Sequence, residues 1–403
     1  MKVVAIPAIT SALTAGLSVL FFIGLSRVYG DTTLGRIILI QAAAALVQVV
    51  CIPSSWVYLL GASGPHEIVE RYSHGQAVEW AGTAVGLAIM AVVSAVSGVW
   101  ERELLLSYFA LSIAASSSCL GYLRATSSWR RYVAWVLMPN MIRLPLVWAT
   151  PAIVGAGIMP NLAGSLAAII ACYFLVPELF RLVTISVPLV IEKFEWQGLT
   201  RIVAGARRIM HNWLFDLGSA ATDQADKLLV GSLLGPHVLV AYFFGRRMGG
   251  LAVMVTEPIY WELYRRNAAR SDRRDLERVW WKGLASAFVL WSLMAGAVGL
   301  AILTPPVARF LPNAIVGLFG VFLGVMLLDG LSAANRWSRY LAQAAGRATR
   351  LLVVRLSIFG VFAVTLALLA PRLPTWGVVL AMLASLACES AYVRVLHTTA
   401  AAT

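Results

Sequence analysis

The chain has 403 residues, of which 60% are hydrophobic and only 13% charged, and its mean hydropathy is +0.80. A soluble domain is roughly 50% apolar. The composition therefore excludes an ordinary cytosolic enzyme, a secreted disulfide scaffold and a disordered chain, and leaves a polytopic helical membrane protein. The net charge is +13, yet the basic residues sit in short segments between apolar runs, which marks membrane topology rather than nucleic-acid binding. The cysteines Cys51, Cys119, Cys172 and Cys388 lie in or beside apolar runs without metal-ligand or CxxC spacing, and read as small buried hydrophobes.

In chain order, runs of about 20 apolar residues predict twelve spans. They cover 3–25, 35–60, 78–99, 104–122, 132–156, 160–183, 207–232, 238–260, 281–303, 308–330, 350–371 and 375–396. The first has only Lys2 ahead of it and is too long for a signal-peptide core, so it reads as a span. With the N-terminus inside, 23 of the 32 basic residues fall on the cytoplasmic side, five outside and four (Arg143, Lys227, Arg246 and Arg247) within spans. The positive-inside rule then places both termini on the cytoplasmic side. The basic stretch "ELYRRNAARSDRRDLERVWWK" after span eight reads as a topology determinant at anionic headgroups. External loops are short. They offer only Asp31, Glu101 and Glu103 as acids, too little for a catalytic loop.

An internal repeat is visible. "VYGDTTLGR" at 28–36 and "LLGPHVLVA" at 233–241 both place a Gly, a short turn and a new apolar helix in succession, with Gly30 and Gly235 separated by 205 positions. A weaker echo links "YLRATSSWRR" at 122–131 with "YLAQAAGRATR" at 340–350. Two six-helix halves, 1–192 and 193–403, are therefore expected, and repeats of this kind commonly place a substrate site at the interface between halves.

Span seven carries the most chemistry. Asn212, Asp216, Ser219, Asp223 and Lys227 are spaced by four, three, four and four, which is one face of a helix, with Asp226 at its edge. A charge at the bilayer centre costs about 2.5–3.5 kcal/mol even on insertion scales, so this stripe must face water or protein. Two roles fit: an Asp223–Lys227 ion pair between helices, or the lining of a hydrated cavity for a polar substrate. In span eight, Arg246 and Arg247 lie inside the apolar run, and adjacent helical residues point roughly 100° apart. At most one faces a cavity. It can contact an anionic group such as a diphosphate, or it can neutralise Asp223 or Asp226. Arg27 reads as an interfacial anchor or a cavity cation. Thr10, Thr14 and Ser18, at i,i+4 spacing in span one, either line the cavity or hydrogen-bond back to carbonyls of their own helix. Arg143 lies within span five without an evident partner, and Glu257 and Asp329 read as interfacial. The five His are scattered and no nucleotide-binding or nucleophile motif is present, so neither an enzyme nor a metal or other cofactor is expected. Energy input must come from an ion (H+ or Na+), the membrane potential or a substrate gradient.

These segments carry a family resemblance. "GLSRVYGDTTLGR" resembles the first-helix ending of polysaccharide exporters and O-antigen flippases, matching at Ser26, Arg27, Gly30 and Gly35. "ATDQADKLLVGSLLGPHVLVAYFFGRRM" is similar to their seventh and eighth helices, matching at Asp226, Lys227, Gly231, Gly235 and Tyr242 and departing at Ala241, where Gly is common. "YLRATSSWRRYV" and "AAGRATRLLVVRL" resemble the connections before helices five and eleven. The resemblance points to the multidrug/oligosaccharidyl-lipid/polysaccharide superfamily. It implies an all-α protein of about twelve transmembrane helices, two pseudo-symmetric six-helix lobes around a central cavity in the manner of multidrug and toxin extrusion (MATE) transporters. It also implies alternating access for a lipid-linked (polyprenyl-diphosphate) oligosaccharide. The expected cavity set is Asp216, Asp223, Asp226, Lys227, Arg246, Arg247, Arg27 and Asn212. The competing reading is an ion-coupled small-molecule or drug antiporter on the same fold, and a membrane glycan polymerase is a third.

Overall fold

The structure is a computed structural model that describes residues 2–55, 58–59, 62, 64–97, 101–158, 162, 164–195, 199–251, 273–344 and 348–400. The protein is an all-α polytopic membrane protein. Among the described residues, eight helices are long and apolar enough to cross a membrane. The long elements are α1 (Lys2–Tyr29), α2 (Asp31–Cys51), α3 (Pro65–Ser97), α4 (Glu101–Ala114), α5 (Ser117–Ala125) and α6 (Trp129–Gly155), followed by α7 (Leu166–Lys193). Next come α8 (Leu199–Leu234), a helix over 236–251 (α9), α10 (Arg273–Leu303), α11 (Phe319–Ala344), α12 (Ala348–Leu369) and α13 (Gly377–Ala400). With α4 and α5 read as one interrupted span, each of the twelve expected runs has a helix.

The boundaries differ where hydropathy misled. The span expected at 308–330 is a helix at Phe319–Ala344, preceded by two short helices, Pro305–Ala308 and Asn313–Gly317. Pro305, Pro306 and Pro312 break the apolar run there, because proline lacks the N–H a continuing helix needs. The span expected from 78 starts at Pro65, since a helix extends past its apolar core wherever its polar end meets water or protein. α8 has 36 residues, about 54 Å at 1.5 Å per residue, well beyond the bilayer core.

The chain packs as two compact units, Met1–Gly24 with Arg36–Ala225 and Leu25–Gly35 with Asp226–Thr403. In unit 1, Tyr72, Cys119, Tyr122, Leu123, Tyr132, Trp135 and Leu189 form one apolar core; Ile40, Ala44, Met90, Leu104, Tyr108 and Ile170 form another. The helical ladder breaks between α4 and α5, and a backbone break inside a membrane needs internal hydrogen-bond partners. Glu79 of α3 supplies them. Its carboxylate accepts from the Ser118 backbone N–H at 2.8 Å and from the hydroxyls of Ser55, Ser117 and Ser118 at 2.7 Å each.

Unit 2 contains both glycine links of the repeat. Gly30 and Gly235 have φ of +81° and +84°, and each is a one-residue joint between two helices. Gly30 N–H donates to Ser26 O and Leu34 N–H to Gly30 O, at 2.7 and 3.1 Å. Gly235 N–H donates to Gly231 O and Leu239 N–H to Gly235 O, at 3.2 and 3.1 Å. The two joints share one hydrogen-bond pattern 205 residues apart, so this echo in the sequence is also an echo in backbone geometry. They also pack together: a Cβ added to Gly35 would lie 2.6 Å from Pro236 Cβ. Asp31 ties the first joint down, accepting from the Ser26 hydroxyl and, at 2.6 Å, from the Ala314 N–H of a short helix. The side chains of the second echo, at 340–350, lie outside the described residues.

Left-handed backbone costs an L-residue about 1–2 kcal/mol. Gly30→Ala and Gly235→Ala are each expected to lower the thermal unfolding midpoint in lipid nanodiscs by that equivalent, and Gly16→Ala, in open helical surroundings, to leave it unchanged or raise it slightly.

Candidate functional site

The site of interest in unit 2 grows from a run of small residues. α9 carries Gly245 and Gly249 one turn apart, a small-xxx-small spacing that lets two helices approach closely. A Cβ at Gly245 would lie 2.8 Å from Val325 Cγ1 and 2.9 Å from Phe322 O, and one at Gly249 would lie 2.7 Å from Asp329 Cβ. The glycines therefore let α11 sit directly against α9, and Asp329 arrives one turn beyond Met326 on the contact face.

Arg246 lies between the two glycines. Its Nε is 3.2 Å from Asp329 Oδ1, and its Nη1 donates to Asp226 Oδ2 at 3.0 Å. The Tyr242 hydroxyl, one turn earlier on α9, donates to the same Asp226 oxygen at 2.6 Å. The side chains of Asp226 and Asp329 are 7% and 4% exposed, against 21% for Arg246. One guanidinium thus joins carboxylates from α8 and α11 through a tyrosine-supported bridge. Within the triad, one positive charge faces two negative ones. Charge-assisted pairs of this kind are strong where water is excluded, and burying the carboxylates is tolerable because each has a cation at contact distance.

The expected cavity residues distribute as follows. Asp226 and Arg246 are brought together. The Arg247 guanidinium lies over the Phe243 ring, 4.9 Å from its centroid, so the two adjacent arginines do point apart. Asp223 and Lys227 are half-buried, and Arg27 is exposed. The side chains of Asn212, Asp216 and Ser219, and all of Glu257, lie outside the described residues. Asp329, expected at an interface, is buried in the site; its misplacement follows from the misplaced span around the prolines at 305–312. Thr10 and Thr14 donate their hydroxyls to Ile6 O and Thr10 O, one turn back in α1. Arg143 has a partner that the sequence reading missed, Glu178 of α7. The legible signal for Asp329 was the GRRMG spacing on α9, which demands a close helix partner. The signal for Glu178 was a lone acid inside an apolar run that already held Arg181.

No family model matches the chain, and no curated protein matches it in sequence. Solved structures do match. A multidrug resistance MATE family transporter of the MOP superfamily, in its inward-facing conformation, superposes with a TM-score of 0.64 at 12% identity, covering 97% of this chain and 96% of that one. An outward-facing conformation of such a transporter gives 0.63 at 12% identity, covering 100% and 97%. A mutant MATE transporter of Vibrio cholerae gives 0.61 at 13% identity, covering 99% and 95%. At these identities the likeness establishes the fold: the chain has the MATE transporter fold over its whole length.

Removing the shared cation should leave two buried carboxylates facing each other. Arg246→Met is expected to destabilise the protein by about 3 kcal/mol. Arg246→Met with Asp329→Asn should recover part of that loss, giving a coupling of at least ~1 kcal/mol in a double-mutant cycle of unfolding midpoints.

Proposed function

We propose that this protein is a secondary transporter that moves a small-molecule substrate by alternating access, coupled to the proton gradient. The observation that carries the reading is the Asp226–Arg246–Asp329 triad, buried between helices of a MATE-type fold. Ionisable groups inside membrane helices mark ion and substrate pathways. Here the place a small cation would take between two carboxylates is filled by a tethered guanidinium. A proton is the ion that can enter such a site without displacing a side chain first. Protonating either aspartate removes one of the two charges that hold Arg246, and the guanidinium then favours the remaining acid. That repartition is a bistable element of the kind that biases a helix rearrangement. The small-molecule reading also agrees with the multidrug resistance transporters among the structural neighbours.

A second reading keeps the lipid-linked oligosaccharide as cargo. It rests on the turn motifs around Gly30 and Gly235, which resemble those of polysaccharide exporters, and on the embedded Lys227 and Arg247. Arg246 carries less weight in that reading, since two carboxylates already engage it.

Two measurements separate these readings. In proteoliposomes, an imposed pH gradient should drive efflux of a lipophilic cation such as ethidium. Asp226→Asn and Asp329→Asn should each reduce the gradient-driven rate at least tenfold, with an imposed Na+ gradient ineffective throughout. Absence of cation movement, together with translocation of a fluorescent polyprenyl-diphosphate oligosaccharide that Lys227→Ala abolishes, would replace the first reading with the second. For orientation, the 23-to-5 charge asymmetry leads us to propose cytoplasmic termini in a bacterial inner membrane. A C-terminal fluorescent-protein fusion should then fluoresce in cells, whereas a C-terminal alkaline phosphatase fusion should be inactive.

A further inference from the structure

Unit 1 holds a second intramembrane charge cluster, built with the opposite excess. Arg143 lies near the middle of α6, and Glu178 and Arg181 lie near the middle of α7. Arg143 Nη2 is 2.5 Å from Glu178 Oε1, and Arg181 Nη2 is 2.5 Å from Glu178 Oε2. One carboxylate therefore serves two guanidinium groups, one oxygen to each. Among the described residues, Glu178 is the one carboxylate acting on either arginine. The cluster carries a net charge of +1 within spanning helices, where an uncompensated charge is strongly disfavoured.

The hydrogen-bond inventory points the same way. A guanidinium has five N–H donors. Arg181 Nη2 donates to Ile113 O at 3.1 Å, while among the described residues the Nε of both arginines and Glu178 Oε2 are buried with no hydrogen-bond partner. The Arg181 side chain is 6% exposed and the Arg143 side chain 16%, so Arg143 is the member a ligand reaches first. Aromatic rings hold the planes in place: Arg143 lies over Phe174 at 5.5 Å and Arg181 over Trp135 at 4.0 Å. The backbone around the cluster is irregular in both helices. Pro139 and Pro145 flank Arg143 in α6. The α-helical segment Val176–Arg181, which carries both α7 charges, lies between π-helical segments Ala171–Leu175 and Leu182–Ser186. Such widened turns concentrate at functional sites.

We propose that Arg143 and Arg181 bind one oxyanion, a carboxylate, sulfate or phosphate group, which completes the charge balance around Glu178. The planar fork of an arginine with unused donors matches these groups in geometry. This site is separate from the Asp226–Arg246–Asp329 triad, and its occupancy is measurable in the resting protein, so the proposal stands or falls without the transport reading.

The test is thermal unfolding of the full chain in nanodiscs, with inorganic phosphate as probe, titrated against sodium chloride at constant ionic strength. In phosphatidylcholine nanodiscs, phosphate should raise the unfolding midpoint saturably. Arg143→Gln should weaken the apparent affinity at least tenfold. Arg143→Lys, which keeps the charge and loses the fork, should weaken it less. Glu178→Gln removes the competing carboxylate and should tighten binding several-fold, the reverse of what a purely structural salt bridge predicts. Arg131→Gln alters an exposed arginine of the same helix, paired with Glu192 at 3.4 Å, and should bind as wild type does. A lipid source of the phosphate group is distinguished by adding phosphatidylglycerol to the nanodiscs: it should raise the midpoint by itself and abolish the further response to free phosphate. A wild-type midpoint that responds to neither probe, or a response equal in Arg143→Gln, Glu178→Gln and wild type, overturns the proposal. If Arg143→Gln does not fold, Arg143→Lys and Glu178→Gln decide it, because they move affinity in opposite directions.

Discussion

A charge held inside an apolar helix bundle has to be neutralised by the protein itself, because neither lipid tails nor tightly packed side chains can solvate it. Much of unit 2 is arranged around this requirement. Arg246 can join Asp226 and Asp329 only if α9 and α11 touch along their backbones, and they touch because Gly245 and Gly249 leave no side chain between them. Tyr242 adds a second donor to Asp226 from one turn away on the same helix. The glycine spacing, the arginine and the tyrosine thus form one device, in which close packing and charge neutralisation depend on each other.

The backbone obeys the same rule. Peptide groups freed by a break in a membrane helix must be paired internally. The break between α4 and α5 is met by Glu79, a buried carboxylate surrounded by serine donors. The joints at Gly30 and Gly235 keep their ladders almost continuous through a single left-handed residue. The prolines of α6 and α7 loosen the helices that carry Arg143, Glu178 and Arg181. Irregularity is thus concentrated where ionisable side chains lie, an arrangement suited to helices that change conformation in response to an ion or ligand.

The two charge clusters differ in a way that bears on chemistry. In unit 2 one cation is shared by two acids, and a proton can redistribute it. In unit 1 one acid is shared by two cations, and an oxyanion can complete it. The MATE fold accommodates both without prescribing either, since a fold constrains where groups can be placed and not which groups are placed there. The likeness to multidrug transporters therefore bears on the scaffold, and the chemistry proposed for each cluster rests on its own side chains.

The amino-acid sequence by itself determined the class of the molecule. Apolar runs of membrane-spanning length have no alternative in a polytopic chain, and the recurrence of a Gly-turn-helix pattern at Gly30 and Gly235 needed only local backbone rules to be recognised. Sequence also showed that Arg246 and Arg247 could not both face one cavity, because their angular separation is a property of any helix. Tertiary structure decided which residues met. Asp329 joined Arg246 from 83 positions away, and Glu178 joined Arg143 from 35 positions away. Such pairings depend on which helix faces which, and hydropathy is blind to that because every spanning helix is apolar on most sides. Span limits at Pro65 and Phe319 escaped for a related reason: hydropathy reports how apolar a segment is, whereas a helix continues until its hydrogen-bond ladder loses a donor or its end finds a cap.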